Sequence, residues 1–213
     1  MKAGDVPFFD YPGDEATRAN VEHMLKLRPH AHLLFYDHGS EKGLVAQGGN
    51  SYIIDSDNVE LLKGRIVYTL ACLWGKDGGW ETHRKGARAV GCYTEIVGFM
   101  TSALKEFQEA FNYGFKLLLL TDSIEGDFFK NLLLEEQRKM TELSDELMAR
   151  GDFMGAMWMN RNRDSRRWYN GASEPPESQC FWRRLAVKLF GNKLGWNLCK
   201  LLAAVFGGVH LWS

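Results

Sequence analysis

Two short blocks of this sequence bring nucleophilic chemistry into view. The first, Leu33-Leu34-Phe35-Tyr36-Asp37-His38-Gly39, is an apolar run that delivers a histidine followed by glycine. The second, Ile66-Val67-Tyr68-Thr69-Leu70-Ala71-Cys72, is an apolar run that delivers a cysteine. A thiol with a pKa near ~8.5 is only a few per cent thiolate at neutral pH, and a nearby imidazole or imidazolium raises that share. Cys72 is thus a candidate nucleophile and His38 its acid/base. Gly39 lacks a Cβ, which lets the chain turn sharply and lets a substrate carbonyl approach the Gly39 N–H. That N–H and the amide of Cys72 are the candidate oxyanion hole, each such donor contributing about 3–4 kcal/mol in the transition state.

Taken singly, a cysteine ending a buried strand is more often a small apolar side chain, and a histidine after a strand more often a loop residue in solvent. The pairing is what gives the chemistry its weight. Papain-like proteases and glutamine amidotransferases carry Cys before His, whereas here the His comes first. His83 follows Cys72 by 11 residues in a Gly- and Trp-rich loop and is the weaker choice of base. His32 begins the strand that ends at His38 and would point to the opposite end of the sheet. Cys92 is expected to pack within a strand. No set of His, Cys, Asp and Glu has the spacing of a zinc site, and neither Asp37 with His38 nor His83 with Cys92 completes one. Asp55 with Asp57, and Asp122 with Glu125, fit helix starts or solvated turns. The run Gly75-Lys76-Asp77-Gly78-Gly79 lacks the Gly-Lys-Ser/Thr ending of a phosphate loop. No cofactor or metal is expected.

The elements that must position these residues follow from periodicity. Residues 14–28 space Val21, Met24, Leu25 and Leu27 as a helix with an acidic first turn. His32 to Tyr36 reads as a buried strand stopped by Asp37-His38-Gly39-Ser40. Ser51 to Ile54 reads as a hairpin arm with Gly48-Gly49-Asn50 as its turn. Arg65 to Leu70 is a second buried strand, and Ala89 to Tyr93 the centre of a third. Residues 101–118 and 126–150 are predicted helices, the latter with an apolar stripe through Phe129, Leu132, Leu133, Met140, Leu143 and Leu147. Strands alternating with helices predict a parallel α/β sheet covered on both faces. Its carboxyl edge, where open α/β sheets place ligands, would hold His38 and Cys72 together. Asn160 to Arg167 reads as a surface loop, and Gly171 to Ser178, with Pro175-Pro176, as a linker.

Composition excludes several classes. The chain has 213 residues, 45% hydrophobic and 25% charged, a balance that buries a core without disulfides or metals. Its 26 Lys and Arg against 27 Asp and Glu give a formal charge of −1, so no global field draws it to nucleic acid. No apolar run reaches the ~18 residues of a spanning helix. The opening Met1-Lys2-Ala3-Gly4-Asp5-Val6-Pro7 has no apolar core of a secretory signal, so Cys72, Cys92, Cys180 and Cys199 are expected as reduced thiols in the cytoplasm. None of them has C-x-x-C spacing.

In this order the paired blocks resemble the clan CD cysteine peptidases, a group that includes caspases, metacaspases, gingipains, clostripain, separase and the bacterial CHAT domains. Asp37-His38-Gly39-Ser40-Glu41-Lys42-Gly43 is similar to the Ser-His-Gly-x-x-Gly of caspases, and Thr69-Leu70-Ala71-Cys72-Leu73-Trp74-Gly75 to the Ala-Cys-x-x-Gly of caspases and CHAT domains. Gly86-Ala87-Arg88-Ala89-Val90-Gly91 resembles the stretch before the next strand in gingipain-like and CHAT members, and Ala16-Thr17-Arg18-Ala19-Asn20-Val21 resembles their helix opening. Leu70 stands where caspases carry Gln, which turns the resemblance toward the CHAT and gingipain-like branch. The likeness spans roughly residues 14–118, with Asn162-Arg163-Asp164 similar to an N-x-D near the end of gingipain-like domains.

The resemblance implies a caspase-like α/β domain over residues 1–174: a mostly parallel sheet flanked by helices in three layers, with a further strand before the first helix for which Val6-Pro7-Phe8-Phe9 is available. It implies a cysteine endopeptidase with Cys72 as nucleophile, His38 as acid/base and the Gly39 and Cys72 amides as oxyanion hole, acting on a protein or peptide substrate through its P1 side chain. Asp77, Glu81 and Glu95 near the active edge are the candidate floor of a pocket for Arg or Lys, and the Arg-rich run from Arg161 to Arg167 is then a site of self-cleavage. The other class of reading is a non-catalytic or partner-activated interaction module. Residues 175–213 are expected as a basic amphipathic helical tail: from 178 onward it carries Arg183, Arg184, Lys188, Lys193 and Lys200 and no acid, with Trp182, Leu185, Leu189 and Trp196 recurring. Such a tail packs on the sheet, docks an activating partner protein or lies on an anionic membrane surface.

Overall fold

A computed structural model describes residue 10 and residues 13–46, 48–121 and 123–171. The first nine residues and the basic tail lie outside the described residues, and with them the strand sought at Val6 to Phe9 and the linker sought at Pro175-Pro176.

Three short apolar segments become the parallel strands of a sheet, two of them buried on both faces. These are β1 (Leu33–Tyr36), β4 (Ile66–Leu70) and β5 (Ala89–Tyr93). β1 pairs parallel to β4, with Leu33 opposite Val67 and Tyr36 opposite Leu70, and β4 pairs parallel to β5. The fourth strand, β6 (Arg166–Tyr169), adds antiparallel to β5, so the order is β1-β4-β5-β6 and the sheet is mixed. Between β1 and β4 the chain makes a small antiparallel hairpin of β2 (Leu44–Val45) and β3 (Tyr52–Ile54).

Side chains along these strands alternate between two packed faces. Phe35, Val67, Val90, Cys92 and Tyr169 point to one, where they meet Val21 and Leu25 of helix α1 (Arg18–Leu27) and Ile53 and Ile54 of β3. Thr17 caps α1 by accepting the Asn20 N–H at 3.3 Å. Ile66, Tyr68, Ala89 and Trp168 point to the other face, against Phe129 and Leu132. There Tyr93 meets Phe107, Phe111, Met140, Leu143 and Met159. These residues belong to α3 (Leu104–Leu120), α4 (Phe128–Ala149) and α5 (Phe153–Ser165); the short α2 (Gly78–Arg84) follows β4. The molecule is α/β, and no helix among the described residues is long and apolar enough to cross a membrane.

The segment from Asn160 to Arg167, expected as a surface loop, is instead the last part of α5 running directly into β6. Its pattern is hard to read because the buried face of α5 is made of Gly155, Ala156, Met159, Asn162 and Ser165, with few large apolar residues. Asp152 starts this helix by accepting the Gly155 N–H at 2.9 Å. Arg166, which reads as a solvent residue, is fully buried beside Glu136 of α4. Its Nε and Nη2 donate to the two Glu136 carboxylate oxygens at 3.1 and 3.0 Å, while Trp168 Nε1 donates to Oε2 at 2.7 Å. The guanidinium stacks 4.4 Å from the Tyr68 ring centre and 4.8 Å from that of Tyr93. Burial alone would lower the Arg166 pKa; Glu136 more than offsets it and keeps the guanidinium charged.

Candidate active site

Because β1 and β4 are parallel neighbours in register, the residues that follow each leave the sheet at the same edge. The His38 loop therefore meets the Cys72 loop, and Gly39 is where they touch. A methyl group on Gly39 would lie 2.8 Å from the Ala71 Cβ and 2.9 Å from the Cys72 carbonyl oxygen, inside contact distance, and 3.4 Å from the Cys72 nitrogen. Only a residue without a side chain lets the chains come this close.

The backbone around His38 is tied to the β2 hairpin. The Val45 N–H donates to the His38 carbonyl and the Ser40 N–H to that of Gly43, each at 3.0 Å. This pattern turns the Gly39 N–H away from the hairpin. Among the described residues neither the Gly39 N–H nor the Cys72 N–H has a hydrogen-bond partner, so two open donors stand side by side at this edge. The loop is also joined to the start of α2, since the Gly78 N–H donates to the Glu41 carbonyl at 2.8 Å and Lys76 pairs with Glu41 at 3.3 Å.

Immediately after Cys72 the chain reverses. The Trp74 N–H donates to the Cys72 carbonyl at 2.7 Å around Leu73, whose φ is 62°. A two-residue closure about a positive φ is the strained form of γ-turn, rare for a residue with a branched side chain. The Leu73 N–H donates to the Glu95 carbonyl at 3.1 Å, and the Gly75 N–H to that of Tyr93 at 2.8 Å. The Cys72 sulfur, half-buried, accepts the Val97 N–H at 3.4 Å and lies 3.9 Å from the Val97 carbonyl oxygen. The His38 imidazole stands in water with 87% of its side chain exposed, 4.0 Å from the Asp37 carboxylate. Asp37 also accepts the His38 N–H at 2.7 Å. The ring and the thiol are on touching loops but are not hydrogen-bonded to each other.

Of the three acids expected near the edge, Glu95 lies in the loop that lines Cys72. It is about half exposed and pairs with Arg161 of α5 at 3.9 Å. Asp77 is exposed at the start of α2, between the Lys76 and Gly78 that contact Glu41. Glu81 is taken up by Arg84 one turn further along α2, through bonds of 2.7 and 2.8 Å. The other candidates have structural roles. His32, at the opposite end of β1, accepts the Ile66 N–H at 3.1 Å through Nδ1, and His83 Nδ1 sits 3.1 Å from the Ala87 carbonyl. The Cys92 thiol is fully buried, and burial pushes it up to about 12. Among the described residues no group of His, Cys, Asp and Glu could hold a metal ion.

Sequence reasoning missed the segment from Thr94 to Gly98 and its anchors on α5. The Thr94 N–H donates to the Ser165 carbonyl at 3.0 Å. Asn162, fully buried, accepts the Gly98 N–H at 3.1 Å and donates to the Gly98 carbonyl at 2.7 Å. The flat face of Trp158 fills the space where a Gly98 side chain would be. No short-range motif carries these contacts, because Gly98 and Asn162 are 64 residues apart. No family model, no curated protein and no solved structure matches this chain.

Proposed function

We propose that the protein is a cysteine endopeptidase of the caspase-like type, cytoplasmic, with Cys72 and His38 as its dyad. The observation that carries the reading is the pair of unpartnered N–H groups of Gly39 and Cys72 beside the Cys72 thiol. A packed α/β sheet seldom leaves adjacent backbone donors unused at its edge without a ligand to accept from them. The mixed sheet with helices on both faces agrees with a caspase-like sandwich. In this reading His38 takes the Cys72 thiol proton, the resulting Sγ thiolate attacks the scissile carbonyl carbon, and the carbonyl electrons move to an oxygen held by the two N–H groups. The oxyanion collapses, the C–N bond breaks, and His38 gives the leaving amine its proton. Water, deprotonated by His38, then cleaves the thioester and restores the thiol. Glu95, half exposed in the segment that touches Cys72, is the acid that an Arg or Lys side chain at P1 meets in place of Arg161.

One observation favours a partner-activated form of the same site. The thiol is held by Val97 while the His38 ring is turned out beside Asp37, so a bound peptide or a partner must draw the dyad together before it acts. Self-cleavage between Arg161 and Arg167 loses its support, since a peptidase needs an extended, accessible segment and these residues are helix and buried strand. The contribution of the basic tail to partner or membrane binding concerns residues outside the described ones.

The test is iodoacetamide labelling with peptide mapping, wild type against His38→Ala. Cys72 is expected to label well ahead of Cys92 and to slow when His38 is removed. A Cys72 labelling rate that His38→Ala leaves unchanged would remove the dyad.

A further inference from the structure

We infer that Asn162 is a positioning residue that holds the segment from Thr94 to Gly98 over the Cys72 thiol and thereby sets how far that thiol is available. The inference rests on Cys72 as the reactive residue of the site.

The segment is fixed at both ends to α5 and touches Cys72 in its middle. At one end Thr94 donates to the Ser165 carbonyl at 3.0 Å. At the other, Asn162 uses both halves of its side-chain amide on a single residue, accepting from Gly98 N–H and donating to Gly98 C=O. A side-chain amide that satisfies both polar groups of one residue fixes its position and its rotation together. Val97 precedes Gly98, so its N–H and C=O are aimed by that grip, and both face the Cys72 sulfur. Asn162 is fully buried, so its bonds are shielded from competition by water and losing them leaves Gly98 to find new partners. Two further contacts on α5 reinforce the hold: Trp158 against Gly98, and Arg161, 5.4 Å above the Trp158 ring, paired with Glu95. The segment presents Ile96 to solvent at 50% exposure, and Phe99 just beyond it is 57% exposed. What covers the thiol is therefore a strap whose far end is hydrogen-bonded by one side chain, Asn162.

Without Asn162 the strap opens more often and the sulfur becomes free to turn toward solvent and His38. Loss of these two hydrogen bonds shifts such a local opening by about tenfold. The experiment compares Cys72 alkylation by iodoacetamide at one fixed pH in wild type, Asn162→Ala and Ser144→Ala. Ser144 makes a buried bond to the Ala156 carbonyl at 3.3 Å, between α4 and α5 and away from the strap, so it reports general loosening of the same helix. Asn162→Ala is expected to label Cys72 about tenfold faster and Ser144→Ala at the wild-type rate. Asn162→Ser, which restores one bond, should fall between. An unchanged rate in folded Asn162→Ala, or an equal rise in Ser144→Ala, overturns the inference. If neither Asn162 variant folds, the wild type decides. Carboxamidomethylation of Cys72 should shift the Val97 and Gly98 amide resonances, and resonances that stay put overturn it. The Asn162 comparison keeps His38 in every variant and needs no peptide, so a protein that cleaves no peptide even with its dyad intact yet shows this pattern sinks the peptidase reading and leaves the strap standing.

Discussion

Arg166 of β6 reaches past β5 to β4: its Nη1 donates to the Thr69 carbonyl at 3.0 Å, three residues before Cys72. The Thr69 hydroxyl in turn donates to the Gly91 carbonyl on β5 at 3.0 Å. The last turn of backbone before the candidate nucleophile is thus held from the far side of the sheet by a buried charge. That charge is balanced by Glu136, whose carboxylate also takes the Trp168 N–H and lies 2.9 Å from the Tyr68 hydroxyl.

Removing one partner should cost far more than removing both. Glu136→Leu leaves the guanidinium buried and unpaired, and is expected to lower the unfolding free energy by about 3–5 kcal/mol. The double replacement Glu136→Leu with Arg166→Met should lose distinctly less than the sum of the single changes. Urea unfolding of the three variants measures this; additive losses would show that the pair is not coupled.

Gly39→Ala places a methyl against the Ala71 Cβ and the Cys72 carbonyl and must push the two loops apart. Displacing one oxyanion donor costs about 100-fold or more in turnover. Peptide hydrolysis should fall by that order while the far-UV circular dichroism is kept. Wild-type turnover in this variant would exclude the Gly39 N–H from the oxyanion hole.

His32 couples stability to pH. The residue is exposed, but its Nδ1 faces inward to the Ile66 N–H, and burial, then the charges of Arg88 and Arg65, lower its pKa from the ordinary 6.5. The folded state therefore keeps the ring neutral at pH values where the unfolded chain protonates it. The stability His32 contributes is complete above 6.5 and is lost as the pH falls through the lower folded value. Urea unfolding between about pH 7.5 and about pH 5 should show a steeper loss for wild type than for His32→Asn. Parallel losses would remove His32 from the acid response.

Cys92 should stay unmodified by iodoacetamide at neutral pH in the native protein and react only on unfolding. Its thiol is raised to about 12 and no part of it meets water. Mass mapping with and without denaturant reads this directly, and native-state labelling of Cys92 at the rate of Cys72 would contradict it.

The elements that carry an apolar signature were legible in the sequence. Leu33 to Tyr36, Ile66 to Leu70 and Ala89 to Tyr93 are strands because they are short, continuous apolar runs, the last two buried along almost their whole length, and the stripe from Phe129 to Leu147 is a helix. Once those strands are parallel neighbours, His38 and Cys72 must leave the sheet together. What was hidden rests on polar groups buried by long-range partners. Arg166 reads as a solvent residue until Glu136, 30 residues away, neutralises it. Asn162 and Ser165 read as loop residues until the strap uses them. Local spacing carries none of this, because the partner that makes burial affordable is elsewhere in the chain. The orientation of the His38 ring is likewise set by Asp37 and solvent and has no pattern in sequence.

The most direct test of the account is hydrolysis of fluorogenic peptides varied at P1, with Arg and Lys among them, by wild type, Cys72→Ala and His38→Ala. The account expects cleavage by wild type, strongest after a basic residue, and its loss in both variants with the fold intact. Cleavage that survives Cys72→Ala would contradict it outright.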